Sequence, residues 1–187
     1  MKKHNPELPE NIWKEELGES NVNAIELKIR VVGSKPPIWR KVVVPRDFTL
    51  GHLHDTIQRV MEWRDYHLHQ FSYQGIDLDD TARLREIFIF ADSIDYEYDF
   101  GDCWELKITF ENYIEDYPYN FPVLAKFSQS SPPEDCGGIG GYYDKLAIIK
   151  NPGHEEYEET KQWMDEMYNE NYNEKAISYL LTMIKLR

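Results

Sequence analysis

The sequence predicts an α+β domain: a β-grasp-like mixed sheet crossed by one helix, with a group of helices at its C-terminal end. Three observations predict it. Apolar residues alternate strictly from Ile25 through Leu27 and Ile29 to Val31, which is the period of a half-buried strand. Leu50, Leu53, Ile57, Val60 and Met61 recur at spacings of three and four, which is the period of an amphipathic helix. Further strand-like runs then give way to three helical segments in the last third of the chain.

Residues 1–22 read as a polar extension with a short helix over 9–17, and residues 23–187 as a single domain. After the first strand, GSKPP turns the chain into a second, β-branched strand over 38–44, so the two form a hairpin. Pro45 stops that strand, and Thr49 is placed to cap the helix that follows. Residues 67–73 read as a third strand and QGIDLDD as a turn. A short helical turn over 81–87 then leads to strands over 92–98 and 104–110, with another over 123–127. Helices are expected over 142–150, 155–167 and 174–186, the first two separated by Pro152-Gly153. The order of a hairpin, a crossing helix and further strands suggests the β-grasp arrangement, a likeness that carries no function with it.

Composition bounds the function. A chain of 187 residues with 41% hydrophobic and 14% aromatic content can bury a core of its own. Two cysteines do not make a disulfide framework. No apolar run follows the leading MKK at signal-peptide length, and none elsewhere approaches the roughly 20 residues of a membrane span. A cytoplasmic protein with reduced thiols and no membrane association is therefore expected. The net charge of −13 disfavours direct nucleic-acid binding, which needs clustered Lys and Arg. That charge is uneven, however: residues 22–64 carry eight basic side chains against four acids, whereas residues 92–135 carry eleven acids against two lysines. A solvated face explains this, and so does a surface that attracts cations or a basic partner.

The stretch YDFGDCWE contains DFG, which in protein kinases marks a magnesium-binding aspartate. The glycine-rich loop, strand lysine and catalytic-loop aspartate of a kinase are all missing, so the match is accidental. A hairpin register gives it a structural meaning. With Phe100, Gly101 and Asp102 as the loop, Tyr98 faces Trp104, Tyr96 faces Leu106 and Ile94 lies near Ile108, on one side of the sheet. Asp99 and Asp102 then either bond turn amides or project from the tip.

Two histidines in HLH, His67 and His69, would share one face of a strand and so could reach one metal ion, with Asp99 and Asp102 among the candidate remaining ligands. The alternative is a pair of partly buried, hydrogen-bonded imidazoles. PPEDCGGIGG precedes a helix, but it matches neither the dinucleotide fingerprint nor the P-loop, and Glu134 and Asp135 would repel an anion. In PPIWR the modest hint of an interface is weighed against a Trp packed at the sheet edge beneath a solvated Arg.

The ordered motifs PPIWRKVVVP, LGHLHDTIQRVMEW, HLHQF, YEYDFGDCWELKI and PPEDCGGIGGYYDKL resemble those of the plasmid pRiA4b open-reading-frame-three-like proteins, over residues 25–163. The resemblance implies one α+β domain found in bacteria and archaea, without an established activity. Relatives tend to have a histidine where this chain has Leu106, and many have a cysteine where it has Ser131.

Two function classes follow. The first is a binding or adaptor module in which Asp99, Asp102, Glu134 and Asp135, with Trp104 beside them, engage a protein partner or basic ligand. The second is a metal-dependent hydrolase or nuclease-like enzyme centred on HLH, with a divalent metal as cofactor. A DNA-binding regulator is disfavoured by charge.

Overall fold

A computed structural model describes residues 22–185; the short helix expected over residues 9–17 lies outside them. In chain order the elements are β1 (Val22–Val31), β2 (Trp39–Pro45), α1 (Leu50–Val60), β3 (His69–Tyr73), β4 (Ile76–Leu78), α2 (Leu84–Ile87), β5 (Ser93–Tyr98), β6 (Trp104–Glu115), β7 (Val123–Ser128), α3 (Gly138–Ile148), α4 (Tyr157–Met167) and α5 (Glu174–Leu181).

All seven strands join one sheet in the order β4-β3-β5-β6-β1-β2-β7. Every pairing is antiparallel. The α+β expectation holds at that level, but the sheet is not mixed. The long β6 returns beside β1 in the opposite sense, and no crossover makes two neighbours parallel. The overlooked strand, β4, follows a two-residue turn in which Gln74 and Gly75 both have positive φ (51° and 77°). Two successive positive φ values suit a tight hairpin, because they match the twist of the flanking strands.

One face of the sheet is dry. Ile25, Leu27, Ile29 and Val31 of β1 align with Val42, Val44, Ile94, Tyr96, Leu106 and Ile108, and Leu53, Ile57 and Val60 of α1 close over them. The expected cap is present at the start of α1. The Thr49 hydroxyl accepts from the His52 amide (3.4 Å), and the His52 ring nitrogen accepts from the Thr49 amide (3.2 Å), so two end groups of the helix are satisfied together. α5 packs against both α1 and β7, bringing Ile177 and Leu181 into the core.

The PPIWR expectation is inverted by the structure. Arg40 is fully buried while Trp39 is only half-buried, with the Lys28 ammonium 5.1 Å from its ring centroid. The Arg40 guanidinium donates to the carbonyls of Val60 (2.9 Å), Trp39 (2.9 Å) and Ser128 (3.1 Å) and to the Ser131 hydroxyl (2.7 Å), and it lies 4.1 Å from the Tyr172 ring centroid. It is a structural clamp among α1, β2, β7 and the loop after β7.

Candidate functional site

The β5–β6 hairpin has the register expected from its apolar pattern: Tyr98 opposes Trp104, Tyr96 opposes Leu106 and Ile94 opposes Ile108. At its tip Asp99 adopts φ 56° and Cys103 φ 52°, a region that Asp tolerates better than most residues. Asp99 uses one carboxylate oxygen, Oδ1, to accept from the Gly101 amide (3.0 Å), and its carbonyl accepts from Cys103 N–H (2.6 Å). The other oxygen, Oδ2, is left facing out of the turn.

The PPED loop docks on this hairpin. Trp63 donates its indole N–H to the Pro132 carbonyl (3.0 Å), the Arg64 amide donates to Glu134 Oε2 (2.9 Å), and the Tyr98 hydroxyl donates to Glu134 Oε1 (2.6 Å). Burial, with the Glu134 carboxylate next in importance, raises the Tyr98 phenol well above its ordinary value, so it stays a donor. Glu134 is thus buried with both oxygens bonded inside the protein, not part of an exposed acidic rim. Trp104 is also in the core, its ring 5.8 Å from that of Trp63.

The glycines after PPED answer to packing. A Cβ on Gly138 would lie 2.2 Å from the Asp102 carbonyl oxygen, and one on Gly141 would lie 2.0 Å from the Cys136 carbonyl oxygen. Only bare backbone fits where α3 meets the hairpin tip. Asp102 accepts from the Gly137 amide (2.9 Å), so the anion at the start of α3 is one of the protein's own carboxylates. Cys136 lies buried beneath, its thiol pushed up to about 12 first by burial and then by Asp102.

These dockings bring three segments distant in sequence to one point. His67 Nε2 lies 3.2 Å from Asp135 Oδ1 and 3.6 Å from Asp99 Oδ2, and one ligand atom from each residue falls within 4.8 Å of the others. The nitrogen is buried yet makes no hydrogen bond of acceptable geometry with either carboxylate. Asp99 is 7% exposed, whereas Asp135 opens to solvent and, like Asp99, has a left-handed backbone (φ 57°). Two non-glycine residues held in this region at one spot mark a place where the fold supports local strain.

His69 and Asp102 do not join this cluster. The shared-face argument took the strand to begin at residue 67, but β3 starts at His69, and the alternation applies only from there. His67 turns its ring edge-on to Tyr98, with centroids 5.7 Å apart. His69 stacks on His54 of α1 at 3.6 Å, with Nε2 3.3 Å from Asp80 Oδ2; burial, followed by the neighbouring His54, lowers its affinity for a proton. Around His54 the hydrogen bonds form a closed ring. The Asp65 amide donates to Gln58 Oε1 (3.0 Å), so Gln58 Nε2 donates to Tyr96 (3.1 Å). The Tyr96 hydroxyl lies 2.9 Å from His54 Nδ1, and His54 Nε2 lies 2.9 Å from Asp65 Oδ1. Gln58 did not stand out in the sequence and Tyr98 did so only as the residue facing Trp104, because the hydrogen-bonding role of each is hidden until its partner is placed.

The family model for plasmid pRiA4b ORF-3-like proteins matches residues 23–177. The chain belongs to this family. It is 30% identical over 156 residues to the uncharacterized protein y4hQ of Sinorhizobium fredii (strain NBRC 101917 / NGR234), covering 75% of this chain and 80% of that protein. The crystal structure of the protein of unknown function MM3350 from Methanosarcina mazei Go1 aligns with a TM-score of 0.76 and 32% identity, over 83% of this chain and 98% of that one. Leu106 and Ser131 of this pRiA4b ORF-3-like chain lie outside the His67–Asp99–Asp135 cluster. Leu106 is a core residue opposite Tyr96, and Ser131 serves Arg40. Among the described residues no helix is long and apolar enough to cross a membrane.

Proposed function

We propose that this domain binds a divalent metal ion between His67, Asp99 and Asp135, and that the bound ion is its means of engaging a ligand or substrate. The observation that carries the reading is the buried, unbonded His67 Nε2 aimed at two carboxylate oxygens contributed by separate loops. An imidazole with two carboxylates suits zinc, manganese or a related first-row ion. Three protein ligands leave coordination positions open, as in metal sites that act on a bound water or substrate. A hydrolytic activity of the metal-loaded protein is the chemical extension of this reading, since a metal-bound water becomes a nucleophile near neutral pH.

A binding role at the same place is supported by the neighbouring surface. Tyr66 (72% exposed) and Leu68 (73%) flank His67 in the chain, and Phe100 (51%) follows Asp99. Large apolar side chains held in water beside a polar cluster are a feature of ligand and partner sites. Of the acids expected to form the binding surface, Asp99 and Asp135 carry the proposal, while Asp102 and Glu134 hold the two loops together.

Metal content after incubation with zinc or manganese chloride and exhaustive dialysis tests the proposal. Wild-type protein should retain one ion per chain, and His67→Ala or Asp135→Asn, folded by circular dichroism, should retain none. A metal-free wild type, or a His67→Ala protein that still holds its ion, would overturn it.

A further inference from the structure

Among the described residues no helix covers the sheet face turned away from α1, and the side chains of that face form a grid that the strand register fixes. Lys28 of β1 opposes Lys41 of β2, and Lys41 opposes Lys126 of the edge strand β7, so three lysines stand in one cross-strand row. Arg30, two residues along β1 from Lys28, extends the row into a basic patch. Among the described residues, Lys41 is the one of these four cations with a carboxylate within ion-pair distance, Glu111 at 2.7 Å.

Across the same face the signs reverse. Glu105 of β6 opposes Glu97 of β5, with Asp95 and Asp77 in the neighbouring row. These four acids, with Gln70 and Ser72, line an open depression of about 280 Å³. At the border of the acidic patch Asp95 pairs with Lys107 at 2.9 Å, which leaves Glu97, Glu105 and Asp77 as the acids of the depression with no ion pair among the described residues. Like charges directly opposite one another in an antiparallel pair are destabilising. The sheet therefore holds two unfavourable arrangements of opposite sign on a single face.

We propose that this face binds a second copy of the chain, in a two-fold dimer that lays the Lys28–Lys41–Lys126 row of each protomer on the Glu97–Glu105 corner of the other. An isologous contact needs a surface complementary to itself. A two-fold axis lying in the interface along the diagonal between the patches brings basic onto acidic twice. One occupant then offsets both unfavourable rows, whereas a polyanion would offset only the lysines and a basic peptide only the glutamates. The area is adequate: seven strands about 4.8 Å apart and about 20 Å long present roughly 600 Å², near the ~800 Å² per partner of a standard interface. The near balance of signs also makes this the face on which a chain of net charge −13 can approach its own copy without strong repulsion.

Sedimentation velocity at low and high salt, with a charge-swap pair, tests the proposal. Wild type should be a dimer at low salt, with a dissociation constant rising about tenfold or more as salt screens the contacts. Lys28→Glu with Lys126→Glu, and separately Glu97→Lys with Glu105→Lys, should each be folded monomers by circular dichroism. An equimolar mixture of the two should dimerise again, because both swapped contacts then attract. A wild type that is monomeric at low salt and high concentration would overturn the proposal, as would folded swap variants that fail to associate when mixed. So would a monomer that binds an oligonucleotide through the lysine row, which would assign the face to a polyanion.

Discussion

Tyr98 and Glu134, 36 residues apart in the chain, share a buried hydrogen bond of 2.6 Å that joins the β5–β6 hairpin to the PPED loop. The same hydroxyl accepts from the Tyr66 amide (3.0 Å), so one phenol holds together all three segments that supply His67, Asp99 and Asp135.

Replacing Tyr98 with Phe leaves Glu134 Oε1 and the Tyr66 amide without their partner. A stability loss of about 2–4 kcal/mol is expected, since each buried orphan costs roughly 1–3 kcal/mol and the charged one lies at the upper end. Urea denaturation of the two proteins measures it. Metal retention should weaken in the same variant although no ligand has been touched, which ties the loop dockings to the triad.

The three α3 glycines should respond differently to alanine. Gly138→Ala and Gly141→Ala place a Cβ 2.2 and 2.0 Å from rigid carbonyl oxygens, and Gly138 also has φ +65°. Each should lower stability by roughly 2 kcal/mol or more. Gly140 has open space around its Cβ, so Gly140→Ala should be neutral or raise stability by up to about 1 kcal/mol through the better helix former. Thermal unfolding of the three variants separates steric need from helix propensity.

The two thiols should behave as different species. Cys103 is exposed at the hairpin tip; Cys136 is buried with its thiol pushed up to about 12. At pH 8 a thiol reagent should titrate one cysteine per native chain promptly and the second only on unfolding, because the thiolate is the reacting form. Equal rates in the native protein would mean that the α3 start opens readily.

Much of this architecture was legible because local patterns and tertiary burial agree. Ile25 to Val31, the α1 periodicity and the apolar match across Tyr98 and Trp104 each report a single buried face, and each element formed where expected. β4 was not legible, because Gln-Gly is a weaker turn signal than Asn-Gly and only three residues follow before the chain leaves the sheet. α3 starts at Gly138 rather than residue 142 because its first turn is built from glycines, which local propensity counts against a helix. Within the site, Asp99 and Asp135 were visible as polar letters on loops, and His67 as one of a pair. Glu134 was misplaced on the surface because its burial depends on Tyr98 and the Arg64 amide, partners that no local spacing reveals. The basic stripe was equally hidden, since Lys28, Lys41 and Lys126 become neighbours only through strand pairing.

Arg40→Met should be among the most damaging single changes in the chain, by about 3 kcal/mol or more, because it takes the guanidinium donors from the Ser128 carbonyl and the buried Ser131 hydroxyl and leaves the Val60 carbonyl with the Tyr172 hydroxyl alone. Chemical denaturation gives the magnitude, and Arg40→Lys should recover only part of it, since an ammonium cannot reproduce the planar fork.

The position of that guanidinium also bears on how the chain reaches its native state. Its acceptors lie on β2, at the end of α1, at the end of β7 and in the following loop, while Tyr172 covers it from the segment before α5. A half-assembled intermediate would have to keep a positive charge either wet, with the core unsealed, or dry, with too few acceptors. Both are costly. Arg40 therefore acts as a completeness check: its charge is fully satisfied only when α1, β2, the end of β7 and the loop after it are in place together.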